Sequence, residues 1–175
     1  NKETVDALRE RYYDIRMGLG FNKGPDVYGA FPTDPYSHTP AGKGARQPGM
    51  TGQVKEEILT RPLELGLQVE DGKIVFEGFM LRPVEFLDAP HEFAYVTADG
   101  TDATIDVPAN AYALTFCQVS VIVRRSNRDA ITASLASGET WSADGLTVDD
   151  EISRHIFARD GHVRALTIEA RGIGV

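Results

Sequence analysis

The chain has 175 residues, and its 42% hydrophobic and 25% charged residues are the balance of one globular domain rather than of a disordered segment. Its formal net charge of −8 argues against a nucleic-acid partner, because phosphate backbones are bound by clustered Lys and Arg side chains. No apolar stretch reaches the roughly 20 residues that a membrane helix needs, so we expect no membrane partner either.

The single cysteine, Cys117, excludes an intrachain disulfide and a Cys-based zinc site. The N-terminal residues NKETVDALRERYY lack the apolar segment of a secretory signal, so a cytoplasmic location is the default unless a signal peptide has been cleaved. Because the chain begins without Met inside a helical pattern, we expect a mature or tagged form, or a part of a longer protein.

An amphipathic helix is predicted from Lys2 to Met17, and Gly18 and Gly20 end it. Its apolar residues recur at three- and four-residue steps and form one stripe, which consists of Val5, Leu8, Tyr12, Ile15 and Leu19. This stripe needs a covering surface, which we expect to be a sheet of this chain or a missing domain.

A long segment from Phe21 to Gly52 contains too many Gly and Pro residues for regular structure. It also holds four aromatic residues, which favour an ordered loop over disorder: Phe21, Tyr28, Phe31 and Tyr36. Thr51 is then the predicted N-cap of a second helix. Pro62 is expected to stop or kink that helix near Arg61, because proline removes a backbone donor.

The rest of the chain predicts strands joined by turns. Asp71-Gly72 supplies the positive φ angles of a tight hairpin between residues 67–69 and residues 74–76. Further strands are predicted at His91 to Val96, Ala103 to Val107, Ala111 to Arg125, Ala130 to Leu135 and Val163 to Ala170. A change of apolar parity inside the third of these predicts a bulge or bend near Cys117-Gln118.

The fold class that follows is mainly β: a β-sandwich or jelly roll with two short helices and a long ordered loop near the N-terminus. We expect residues 1–66, which contain both helices and the Gly/Pro-rich loop, to pack on a β-sandwich of residues 67–175. Together the two parts would form one domain.

The candidate catalytic carboxylates are Asp34, Glu56 and Glu57, because glycoside chemistry uses two carboxyl groups on opposite sides of a bond. The adjacent Glu56 and Glu57 would point about 100° apart on a helix, so either one would have to pair with Asp34. Asp34 also precedes a proline, an arrangement that is typical of a structural turn.

The long loop and the start of the second helix also carry the residue types of a sugar-binding site. Aromatic faces suit stacking on sugar rings, and polar side chains suit sugar hydroxyls; the candidates are Tyr28, Phe31, Tyr36, His38, Lys43, Gln47 and Gln53. His38 could act as an acid, a base or a hydrogen-bond donor, or it could satisfy backbone groups that an irregular loop leaves unpaired.

A metal site would have to use the histidines His38, His91, His155 and His162. None forms a His-x-His or His-x-Asp pair, and His91 and Glu92 would point to opposite faces of a strand. We therefore expect no metal and no cofactor. His155 and His162 are predicted to be surface residues that bracket a turn.

The segment QPGMTGQVKEEILTR, preceded by YGAFPTDPYSHTPAGKGA, resembles part of large carbohydrate-active proteins. These are glycoside hydrolases and disaccharide phosphorylases in which a C-terminal β-sandwich follows an (α/α)6 barrel. The resemblance covers the loop, the second helix and, more loosely, the strands to Ile173. It implies that the two helices correspond to the last helices of the barrel and that the loop faces its active-site mouth. The chain departs from the family in length, since 175 residues hold no complete barrel.

These features predict a carbohydrate-binding or glycan-positioning domain of a glycoside hydrolase-like protein. Its partner would be a glycan or oligosaccharide, and the isolated chain would not be catalytic. The first alternative is a non-enzymatic oligomerisation or interaction module, whose partner is a second copy of the chain or a missing catalytic domain. The second alternative is a jelly-roll metalloenzyme that uses His91 or His38.

Overall fold

The computed structural model describes residues 2–18 and 60–174, with the side chains of residues 3–13 and 60–174. The chain divides into two compact units, Asn1–Arg61 and Pro62–Val175. Within the described ranges, no helix is both long enough and apolar enough to cross a membrane.

Helix α1 (Lys2–Gly18) begins where the sequence predicts and extends one residue past the predicted end. In the described part of the predicted stripe, Val5 and Leu8 are 42% and 66% exposed and Tyr12 is half-buried, whereas Tyr13 beside the stripe is 3% exposed. The described residues therefore do not cover Val5 and Leu8, and their docking on a missing domain stays a prediction. Tyr12 and Tyr13 contact edge to face, with ring centroids 5.3 Å apart. The last two residues of the stripe lie outside the described side chains. Helical periodicity groups residues on one face, but it does not determine which face is covered.

Residues 60–64 are helical, so the second helix does not stop at Arg61, and the alternative prediction of a kink there stays a prediction. Pro62 lies within these helical residues, and the chain leaves the helix at Gly66, where φ is +82°. A Cβ atom at Gly66 would lie 2.6 Å from a ring carbon of Phe76, so this position requires glycine for its conformation and for its small size.

Residues 67–174 form nine strands and one α-helix, which confirms the mainly β, sandwich-like fold class. The first hairpin and the bounds of three of the predicted strands are confirmed. The elements are β1 (Leu67–Glu70), β2 (Lys73–Phe76), β3 (His91–Val96), β4 (Asp102–Val107), β5 (Ala111–Phe116), β6 (Val119–Arg125), β7 (Ala130–Leu135), β8 (Thr140–Asp144), α2 (Asp150–Ala158) and β9 (Val163–Ala170).

These strands build two hairpins, β1–β2 and β3–β4, and a five-stranded sheet in the order β5-β6-β9-β7-β8. All neighbours in the large sheet are antiparallel except β6 and β9, which are parallel. The last strand in the chain, β9, therefore lies in the middle of the sheet, and it reaches that place directly after α2.

One face of the five-stranded sheet forms the core, because alternate residues of each strand point to the same side. Apolar side chains of β2 and α2 join this face in a single cluster. Its buried members include Val121, Val123, Ile131, Leu166 and Ile168 of the sheet, Ile74 and Phe76 of β2, and Ile152 and Ile156 of α2. Burial of one such side chain contributes about 1.5–3 kcal/mol, so this cluster holds the hairpin, helix and sheet together.

The predicted strand from Ala111 to Arg125 is wrong, because it is two strands joined by a hairpin turn. Cys117 and Gln118 connect β5 to β6 with φ angles of 50° and 64°. Two central residues with positive φ are the arrangement of a type I′ turn, which ordinarily uses Asn-Gly or Asp-Gly. The turn, rather than a bulge, accounts for the change of apolar parity.

Helix α2 is missing from the sequence prediction. Asp149 is its N-cap, and Oδ1 of Asp149 accepts a hydrogen bond from the amide of Ile152 at 2.8 Å. Ser153 joins the helix to the first hairpin, because its Oγ accepts from the amide of Ile74 at 3.1 Å and donates to the carbonyl of Val148 at 3.3 Å. Ser153 is fully buried, so these bonds are made away from water.

Candidate functional site

The predicted catalytic and ligand-binding residues lie outside the described residues, and their roles stay predictions. They are Tyr28, Phe31, Asp34, Tyr36, His38, Lys43, Gln47, Gln53, Glu56 and Glu57. The described residues place further candidate sites in the unit that begins at Pro62.

His91 and Glu92 are exposed neighbours on β3, where His91 pairs with Val107 and Glu92 pairs with Asp106. Successive strand residues point to opposite faces, so the side chains of His91 and Glu92 do not converge on one ion. In the part of the chain that the structure describes, no three His, Cys, Asp or Glu side chains are grouped so that they could hold a metal ion.

A cleft of about 550 Å³ lies where the turn after α2 meets the turn of the β3–β4 hairpin. We call it the histidine cleft, and its lining residues are Ala98, Asp99, Ala136, His155, Arg159, Asp160, Gly161, His162 and Arg164. Its volume is within the range of about 300–1,000 Å³ that is usual for small-molecule sites. Six of the lining side chains are ionisable, which makes the cleft a polar site rather than an apolar one.

Asp160 connects the two histidines of the histidine cleft. Its Oδ2 lies 2.7 Å from Nδ1 of His155, and its Oδ1 accepts from the backbone amide of His162 at 2.9 Å. The two imidazole rings stack with centroids 4.1 Å apart. The hydrogen bond with His155 and then that from the His162 amide lower the pKa of Asp160 below its ordinary value, so this carboxylate is ionised at neutral pH.

The second carboxylate of the cleft, Asp99, is held within its own hairpin turn. Its Oδ1 accepts from the hydroxyl of Thr97, from the hydroxyl of Thr101 at 2.8 Å and from the amide of Thr101 at 3.2 Å. These bonds, the Thr97 hydroxyl first, lower the pKa of Asp99 to about 2. The charge of Arg164 makes a smaller contribution in the same direction.

Arg159 and Arg164 supply the positive charges of the histidine cleft. Arg159 ends α2 in a left-handed conformation with a φ of 52°, and Arg164 is the second residue of β9. Both side chains are exposed. Among the described residues neither guanidinium makes an ion pair or a hydrogen bond, in contrast to Arg124, Arg128 and Arg171.

A pair of aromatic rings lies on one face of the β3–β4 hairpin. Phe93 and Tyr95 have ring centroids 6.2 Å apart and ring planes within 8° of parallel, and both side chains are half-buried. A groove of about 340 Å³ on the same hairpin is lined by Ala94, Tyr95, Val96, Asp102, Ala103 and Thr104. Sequence reasoning missed both this pair and the histidine cleft. The available signals were the two-residue spacing of the aromatics on a strand and the Asp-Gly turn between two histidines.

No protein-family model matches the chain, and a search of curated proteins finds no match. The resemblance of residues 28–61, and more loosely of the strands to Ile173, to carbohydrate-active proteins therefore stays a prediction from the sequence.

Proposed function

We propose that the chain is a carbohydrate-binding or glycan-positioning domain of a glycoside hydrolase-like protein. The observation that supports this proposal is the order of its parts, because a β-sandwich-like unit with its own apolar core follows a segment that contains several aromatic and amide side chains and His38. Such a segment supplies flat faces for sugar rings and donors for sugar hydroxyls. Binding sites in general are held most precisely where a rigid, packed scaffold supports their loops.

The β3–β4 hairpin adds a second stacking surface to this proposal. The rings of Phe93 and Tyr95 are nearly parallel, so both could face one extended sugar chain. Tyr95 also lines the groove that contains the polar side chains of Asp102 and Thr104, which are suited to sugar hydroxyls.

The test is a screen of oligosaccharides by glycan array and by thermal shift, run on the wild-type chain and on two double variants. Tyr36→Ala with His38→Ala removes the predicted site, and Tyr95→Ala with His155→Ala removes the same two residue types from the described β unit. Each variant is first shown to fold by its melting temperature and circular dichroism.

Loss of binding in the first variant alone places the glycan at the predicted loop residues. Loss of oligosaccharide binding in the second variant alone would mean that the site lies in the β unit, and the proposed function would still hold. A wild-type chain that binds no oligosaccharide overturns the proposal.

An interaction module is the second candidate, and one observation favours it. Val5 and Leu8 are three residues apart on α1 and are exposed together, which is the spacing of one helix face. If this face is an interface, light scattering will show a dimer or larger species for the wild-type chain. Leu8→Glu will then give a monomer with an unchanged helix content, since Glu is a good helix former. A monomeric wild-type chain contradicts this candidate.

A further inference from the structure

We propose that the histidine cleft binds an oxyanion group, such as a phosphate, a sulfate or the carboxylate of an acidic sugar. This inference goes beyond the glycan-binding proposal, because it rests on the charged side chains of the cleft and not on the loop residues or on the Phe93–Tyr95 pair.

The first argument is that both carboxylates of the cleft already have donors. Asp160 is bonded to the ring of His155 and to the amide of His162, and Asp99 is bonded to Thr97 and Thr101. Both oxygens of Asp160 and Oδ1 of Asp99 are therefore engaged within the protein. Among the described residues, Oδ2 of Asp99 is the one carboxylate oxygen of the cleft that has no such bond.

The second argument is that the positive groups of the cleft are the ones left without partners. Among the described residues the guanidinium groups of Arg159 and Arg164 make no hydrogen bond or ion pair. The planar guanidinium of arginine matches two oxygens of a phosphate, sulfate or carboxylate at once. A cleft whose carboxylates are largely engaged by the protein, and whose two guanidinium groups are unpaired among the described residues, fits an anion better than a cationic ligand.

The third argument concerns the histidine pair. Because Nδ1 of His155 faces Asp160, the remaining ring nitrogen of His155 is the one that a ligand can reach. The rings of His155 and His162 stack with centroids 4.1 Å apart, and both residues line the cleft together with Arg159 and Arg164. An anion that the two arginines hold would therefore lie close to both imidazole rings.

The test is isothermal titration calorimetry of the full chain with inorganic phosphate, sodium sulfate and glucuronate, at constant ionic strength set with sodium chloride. Arg159→Gln and Arg164→Gln each remove one proposed donor. Arg154→Gln is the matched control, because Arg154 is an exposed residue of α2 that does not line the cleft. Acetate controls for the carboxylate of glucuronate.

We expect either cleft variant to weaken phosphate binding about tenfold or more, as the loss of a charge-assisted hydrogen bond requires, and the control to change it less than about twofold. If glucuronate binds more tightly than acetate, the ligand is an acidic sugar. If glucuronate and acetate bind equally weakly while phosphate or sulfate binds more tightly, the ligand carries a phosphate or sulfate group.

A second measurement keeps the proposal falsifiable if a variant fails to fold. In the wild-type chain, phosphate should shift the imidazole NMR signals of His155 and His162 with a saturable dependence, and it should leave those of His91 unchanged. The proposal is overturned if phosphate, sulfate and glucuronate shift none of these signals. Equal loss of binding in Arg154→Gln overturns it as well, because the effect would then be one of net charge.

Discussion

Replacing Glu169 by Gln will lower the free energy of unfolding of the β unit by about 1–2 kcal/mol at pH 7. Glu169 lies near the end of β9 beside Arg124 of β6, and it accepts hydrogen bonds from Arg124 and Arg128. The bond from Nε of Arg128 to Oε2 is 2.6 Å long. The substitution keeps the shape of the side chain but removes its charge.

The magnitude follows from the exposure of the three side chains. The Glu169 side chain is 9% exposed, so its charge depends on the two arginines rather than on water. A hydrogen bond to a charged group is worth about 1.5–3 kcal/mol when it is buried. The Arg124 and Arg128 side chains, however, are 46% and 66% exposed, so solvent screening reduces each interaction toward the surface value of about 0.2–1 kcal/mol. The expected loss lies between these limits.

The pH dependence separates this ion-pair account from a loss of packing. Burial acts to raise the pKa of Glu169, but the hydrogen bonds from Arg128 and Arg124 outweigh it and place the pKa below its ordinary value. A depressed folded-state pKa stabilises the protein above the unfolded-state pKa, and this stabilisation is lost as the pH falls through the folded-state pKa. The difference between wild type and Glu169→Gln should therefore shrink from pH 7 to pH 3.

Urea unfolding followed by the fluorescence of Trp141 measures this difference, because Trp141 is the single tryptophan and packs against the core of the same unit. Glu139→Gln, at an exposed turn, is the control and should change the free energy of unfolding by less than about 0.5 kcal/mol. A Glu169→Gln variant as stable as wild type at pH 7, or a difference that does not change with pH, would refute the reasoning.

Three further predictions concern the turns, the helix and the histidine cleft. Gln118→Gly should raise the free energy of unfolding by about 0.5–1 kcal/mol, because glycine adopts a positive φ without the steric cost that glutamine has. At the matching position of the first hairpin, Gly72→Ala should lower the free energy of unfolding by about 1 kcal/mol for the same reason. Urea midpoints measure both changes, and two changes of the same sign would contradict the turn assignment. Ser153→Ala should cost about 1–3 kcal/mol, because it leaves a buried strand amide without its acceptor, and an unchanged urea midpoint would count against this bond. In His155→Gln the pKa of Asp160, measured by carboxyl carbon NMR, should move up toward the ordinary value of 3.8, and a pKa equal to that in wild type would show that His155 does not lower it.

Local turn chemistry made parts of the fold predictable. Asp71-Gly72 is predicted and observed as a tight turn, because few residue pairs adopt two positive φ angles easily. The same rule explains the error at Cys117-Gln118, where two residues without this preference adopt positive φ angles. There the strand pairing and the packed face impose a conformation that the local sequence disfavours.

The candidate sites were less predictable than the strands. His155, Asp160 and His162 are close in the sequence, so their contact could have been inferred once α2 was recognised from its Asp149 N-cap. Asp99 could not have been added to them, because it comes from a hairpin more than fifty residues earlier in the chain. The sequence also does not show that the guanidinium groups of Arg159 and Arg164 are unpaired among the described residues. Whether an arginine forms an ion pair depends on which carboxylates the folded chain brings beside it.

The sequence by itself determined the mainly β class, the first hairpin, the extent of α1 and the bounds of several strands, because these depend on residue spacing and on the allowed φ angles of a few turn residues. Only the tertiary structure decided that Tyr13 is covered while Leu8 is exposed on α1, and that β9 lies between β6 and β7. It also decided that Arg159 and Arg164, which have no ion pair among the described residues, line one cleft with the histidine pair. The physical reason is that hydrogen-bond partners across a sheet and neighbours across a cleft are chosen by non-local packing. Several residues far apart in the chain could occupy the same pairing position in a sheet or the same neighbouring position in a cleft, and a local sequence pattern does not show which one does.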